Sequence, residues 1–109
     1  MDIVKRINEG NCSIEELEVF LEENNPVILY HTMTYIGKSK YYTQNMLDRL
    51  NDLSLRRSPQ DKLIGYYKIG DLALATLIKL DEINNKISLE DLNEFDKNMI
   101  MRLYEEIDW

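Results

Sequence analysis

The stretch "IGDLALATLIKL", residues 69–80, decides how this chain is read. Ile69-Gly70 followed by Ala73, Leu77 and Leu80 reads as a hinge and the second helix of a helix pair, since the apolar residues recur at helical spacing behind a helix-breaking glycine. Thirty-three residues upstream stands another Ile-Gly, Ile36-Gly37, and each pair is preceded at the same distance by a proline, Pro26 and Pro59. Superposing the prolines brings both Ile-Gly pairs into register without a gap. Three residues must then be skipped to place Leu47-x-x-Leu50 on Leu77-x-x-Leu80, so the period is firm over the first helix of each unit and approximate over the second.

Working outward, helix signals recur and strand signals do not. No segment alternates apolar and polar residues for long, and no Asn-Gly or Asp-Gly turn occurs. Ser13 with Glu16 is a capping box, followed by Ile14, Leu17, Phe20 and Leu21 on one face. Asn25-Pro26 and Ser58-Pro59 each set a capping residue before a proline at the first helical position, where a missing N–H costs nothing. The segments 27–36 and 63–69 are apolar enough to be buried on most sides, and each glycine is expected to break one helix from the next. Tyr42, Met46, Leu50 and Leu53 share a face after Gly37, and Ser88 with Asp91 predicts a further cap ahead of a stripe of Leu92, Phe95, Met99, Leu103 and Ile107. The expected fold is all-α, six or seven helices in stacked antiparallel pairs, as a short solenoid or a helical bundle. One domain spans 1–109, with N-terminal cap helices over 1–24, one repeat over 25–57, a second over 58–87 and a C-terminal cap helix over 88–109.

"NPVILYHTMTYIG" followed by "MLDRL", and more closely "SPQDKLIGYYKIGDLALATLIKL", resemble HEAT-type repeats, in which a proline opens the first helix and a second helix rich in small residues packs back. The first unit departs from that pattern, carrying Tyr41 and Tyr42 where the second has Leu72 and Ala73. The resemblance implies a protein that binds other macromolecules on the surface of its second helices. In size and charge, without a shared motif, the chain also resembles small acidic bacterial immunity proteins, which neutralise a cognate toxin.

Totals bound the remaining possibilities. A chain of 109 residues buries roughly 65% of the surface it would expose unfolded, enough for an independent core. A lone cysteine, Cys12, forms no internal disulfide and fits a reducing compartment, and no apolar run is long enough to cross a bilayer, so a cytoplasmic protein without membrane contact is expected. Net charge is -7, with seven acids against two bases in residues 1–24 and nine against three in residues 81–109. Phosphate binding needs a positive stripe, so this distribution argues against nucleic acid and fits a basic protein partner, possibly a toxin domain. Acidic ends also keep a small protein soluble.

Motifs for chemistry fail on inspection. Gly37-Lys38-Ser39 resembles the end of a phosphate-binding loop, but Thr32 stands where that loop needs its first glycine. The segment "NNKISLEDL" lacks the turn glycine and first ligand of a calcium loop. His31 is the sole histidine and has no second ligand at metal spacing, and Cys12 lies in no activating context, so both are read as structural. No catalytic residue, metal or cofactor is expected, and the protein is read as a non-enzyme.

What remains is acidic. Asp48 and Asp52 lie four apart, opposite the stripe of Met46, Leu50 and Leu53, while Glu15, Glu18 and Glu22 line one side of the second helix. Like charges at that spacing cost about 0.2–0.5 kcal/mol each, a cost that a positive partner would offset; a merely solvated face is the plainer alternative. The expected function is a non-enzymatic protein-binding domain, most concretely a toxin-neutralising immunity protein, or antitoxin, that covers a basic surface with Asn45, Asp48, Asp52, Glu18 and Glu22. The alternative is a nucleic-acid-binding or regulatory adaptor using the junction residues Lys38, Lys40, Tyr41, Tyr42, Tyr66, Tyr67 and Lys68 to stack bases.

Overall fold

A computed structural model describes residues 2–63, 65, 67–81 and 92–109. Among them the chain forms six helices, α1 (Ile3–Asn8), α2 (Ile14–Phe20), α3 (Pro26–Ser39), α4 (Gln44–Leu53), α5 (Ile69–Lys79) and α6 (Glu94–Glu106), and no strand. The fold is all-α.

The helix from the opening stretch is the centre of the molecule. Every residue of α5 from Ile69 to Leu77 is buried, polar Asp71 and Thr76 included. A helix that is apolar all round has to be enclosed, and the small residues Gly70, Ala73 and Ala75 let neighbours approach from several sides. α3, α4 and α6 all pack against it, while α1 and α2 pack against α3. The core joins Leu29, Met33 and Ile36 of α3, Met46, Leu50 and Leu53 of α4, Leu72, Leu74 and Leu77 of α5, and Ile100 and Leu103 of α6. The radius of gyration is 12.9 Å, near the ~13 Å of a compact globule this long.

Local chemistry starts the helices where the sequence places their caps. The Ser13 hydroxyl accepts from the Glu16 amide at 3.1 Å while the Glu16 carboxylate accepts from the Ser13 amide at 3.0 Å, completing the expected capping box. Asn25 accepts from the Val27 amide with Pro26 in the first turn of α3, and Thr43 and Asn93 cap α4 and α6 through the amides of Met46 and Asp96.

Four expectations need correction. Gly37 does not break α3, which continues to Ser39 and stops at Lys40, a left-handed residue with φ 58°. Gly37 is instead the seat of an aromatic ring: a Cβ there would lie 2.7 Å from Trp109 Cε3. No helix begins at Pro59. The Ser58 amide and hydroxyl both donate to the Asp61 carboxylate, and the chain then doubles back through Gly65, at φ 55°, with the Leu63 amide donating to the Tyr67 carbonyl at 2.9 Å. Ile69-Gly70 therefore opens α5 rather than closing a preceding helix, and the described residues of 58–79 contribute one helix where a pair was expected. Gly70 sits flush on the 54–57 loop: a Cβ there would come within 2.7 Å of the Ser54 carbonyl oxygen and 2.9 Å of that of Arg56.

The stripe on the last helix is also shifted. Met99, Ile100 and Leu103 are buried, but Phe95 is 61% exposed. Asp96 takes the inward position because it meets two cations there, Arg57 at 3.4 Å and Lys68 at 3.6 Å. Arg57 also pairs with Asp71, which is 1% exposed and accepts from the Lys68 amide, so one guanidinium ties the 54–57 loop to the starts of α5 and α6. The cap expected at Ser88 with Asp91 lies outside the described residues.

Candidate functional site

α2 and α4 each bury an apolar face on a different neighbour, α2 on α3 and α4 on α5, and this leaves a channel between their outer faces. On α2 the burial of Leu17 and Phe20, with Leu21 at its end, turns Glu15, Glu18 and Val19 outward. On α4 the burial of Met46, Leu47, Leu50 and Leu53 turns Asn45, Asp48 and Asp52 outward. Between them lies an open groove of about 640 Å³, lined by these residues together with Leu21, Glu22, Met46 and Arg49. All five residues singled out from the sequence, Glu18, Glu22, Asn45, Asp48 and Asp52, line this one groove. Glu22 belongs to the turn just past α2 rather than to the helix itself.

Two side chains fix the spacing of the walls. The Thr43 hydroxyl, at the cap of α4, donates to Glu18 Oε1 on α2 at 2.6 Å, tying the start of one helix to the other. Arg49 reaches back from α4, donating through Nε to the Leu21 carbonyl at 2.9 Å and lying 3.7 Å from a Glu22 carboxylate oxygen. That carbonyl is one of those a helix end leaves without an intrahelical partner, so the guanidinium caps α2 as it bridges. Gln44 donates to Asp48 at 3.0 Å, which aims one carboxylate along the wall. Five carboxylates, Glu15, Glu18, Glu22, Asp48 and Asp52, then face a single lining cation, Arg49, for a local charge of -4. A low-dielectric wall around charges of one sign focuses their field on whatever enters.

Sequence reasoning missed Val19 and Thr43. Val19 is 59% exposed on the acidic face of α2, an apolar contact point among carboxylates. Its signal was its position four residues after Glu15, off the buried stripe. Thr43 was legible only as a helix cap, because its bond to Glu18 spans 25 residues.

Other candidates are dispersed. Tyr67 donates to Glu106 at 2.9 Å and Lys68 lies near Asp96, so both junction residues are held against α6 by acids. Burial, reinforced by Glu106, pushes the Tyr67 hydroxyl above its ordinary range. Lys40 ends α3 and Tyr41 is exposed beside it, whereas Tyr66 lies outside the described residues. Cys12 is half-buried, and burial raises its thiol above the ordinary value, the opposite of what a nucleophile needs. His31 packs edge-on to Tyr30 with ring centroids 5.2 Å apart. Among the described residues, no three His, Cys, Asp or Glu side chains are grouped to hold a metal ion, and no helix is long and apolar enough to cross a membrane.

The chain matches no protein-family model, no curated protein and no solved structure.

Proposed function

We propose that the protein is a non-enzymatic binding domain that docks a basic protein segment in the groove between α2 and α4. The observation that carries this reading is the convergence of five carboxylates on one open channel with an exposed valine on its wall. Carboxylates from two helices flank a cationic segment on both sides, and Val19 offers the apolar contact that charge alone does not supply. The most concrete form is an immunity protein or antitoxin, produced in a bacterial cytoplasm, that covers the basic substrate-binding surface of a toxin. Opposite charge would then act mainly on the association rate.

Reversing Asp48 and Asp52 to lysine tests this reading. Against a basic toxin-type domain encoded beside this protein, the double variant should associate about tenfold or more slowly at low salt, with the difference shrinking as salt rises. A titration of the wild type with single-stranded DNA and RNA at low salt is the control. Micromolar, salt-sensitive binding there would overturn the proposal in favour of the adaptor, for which the same reversal would strengthen binding by removing repulsion from phosphates.

A further inference from the structure

A second cleft, on the other side of α3 from the core, has a different chemistry from the acidic groove. It holds about 250 Å³ between α1, the outer face of α3 and the extended residues 107–108 that follow α6. Asn8, Tyr30, His31, Tyr35 and Lys38 line it, five residues whose side chains carry hydrogen-bond donors. None of these five side chains has a hydrogen bond or ion pair to another described residue. The Thr34 hydroxyl is already committed to the carbonyls of Tyr30 and His31. Lys38 and Asp108 balance, so the lining is formally neutral in a chain of net charge -7, and its five unpartnered donor-bearing side chains set it apart from the acidic groove.

The helical register explains the grouping. Tyr30, Thr34 and Lys38 follow at intervals of four, as do His31 and Tyr35, so one side of α3 carries them all away from its buried Leu29, Met33 and Ile36. Two phenol rings and an imidazole give the cleft flat walls beside its donors. We propose that this cleft binds a small anion, a phosphate or carboxylate carried on a single ring. Lys38 supplies the charge, the hydroxyls and the Asn8 amide bond the anionic oxygens, and the ring lies against Tyr30 and His31. The volume sets the size, since it falls just below the roughly 300–1,000 Å³ of pockets for larger ligands.

The far wall can be monitored directly. Trp109 is the single tryptophan of the chain, lies on Gly37, and donates its indole N–H to the Tyr104 carbonyl at 2.9 Å, which anchors Ile107 and Asp108 over the cleft. The experiment titrates the protein with phenyl phosphate, benzoate and inorganic phosphate, following Trp109 emission together with amide chemical shifts. The expected result is a saturable response to at least one ring-bearing anion, with shifts confined to Asn8, residues 30–38 and residues 107–109. Inorganic phosphate should bind about tenfold more weakly. Lys38→Glu should weaken binding at least tenfold and Asp108→Asn should tighten it two- to threefold, both at exposed positions where folding is retained; Tyr35→Phe adds a third, conservative variant. No saturable shift up to about 10 mM probe, or equal responses in wild type and Lys38→Glu, would overturn the proposal.

Discussion

Gly70 has a role that residue-level reading anticipated for a different reason. The sequence marks it as a helix breaker, yet it lies in the first turn of α5, and what forbids a side chain there is the pair of carbonyl oxygens from Ser54 and Arg56. Gly70→Ala should therefore cost about 1–3 kcal/mol through overpacking, read as a lowered urea midpoint. Asp71 was passed over in the sequence because an aspartate in an apolar stretch carries no local sign of its partner, Arg57, fourteen residues away. Asp71→Ala leaves that guanidinium mostly buried with Asp96 alone, and a loss of about 3 kcal/mol is expected, the low end of the range for breaking a buried pair. The same cluster sets the response to acid. Burial by itself pushes the Asp96 carboxyl up, but hydrogen bonding and charge from Arg57 and Lys68 outweigh it and hold the group below the usual carboxylate range. The Ser58 hydroxyl does the same to Asp61, and the Ser13 amide and Arg6 do so to Glu16. A folded pKa below the unfolded value means stability that is complete above the unfolded carboxylate range, about pH 4, and drains away as pH falls through the lower folded values. The melting temperature should hold between pH 7 and about 5 and drop below about 4, and Asp96→Asn should blunt that drop; a flat profile down to about pH 2 would contradict this account.

At the scale of elements, what the sequence made legible was whatever is local. The capping box at Ser13, the proline start of α3 and the apolar face of α4 are written within three or four residues of each other, and all three are present. The false helix at Pro59 fails for the complementary reason. Serine before proline marks a cap only if the chain goes on into helix, and here the Asp61 amide donates to the Ser58 carbonyl at 2.9 Å while the Ser58 hydroxyl donates to the Asp61 carboxylate, closing an isolated turn. The 33-residue period thus matches the end of one helix to the beginning of another. Thr43 illustrates an element whose cap does two jobs, satisfying the Met46 amide and donating to Glu18. Thr43→Ala should cost about 1–2 kcal/mol for the cap, and it should also widen the groove and slow partner association. Leu74→Ala, in the middle of α5, should cost about 2–5 kcal/mol, since helices enclose this site and leave little room to collapse. Chemical denaturation of both variants separates a terminal effect from a central one.

Across the whole molecule, charge and packing are divided between faces. Carboxylates gather where α2 and α4 look outward, while the donors of the second cleft gather on the outer side of α3. The acidic residues could be named from the sequence because they stand off the buried stripes, but their meeting in one channel depends on which helix each of α2 and α4 packs against, and no local pattern encodes that. Because Asp48 and Asp52 are exposed, reversing them should leave the melting temperature unchanged or slightly raised, with each relieved like-charge contact worth roughly 0.2–0.5 kcal/mol. A large loss of stability in that variant would mean that the face is structural. The enclosure of α5 has a further, kinetic consequence. Three helices cover it, so no single one of them can peel away and bare its backbone, and the amide protons of residues 73–77 can reach deuterated solvent only when the entire chain opens. Their protection should be the strongest in the protein and nearly equal from one residue to the next, and should rise and fall with global stability, so that this one helix keeps the time for the unfolding of the whole.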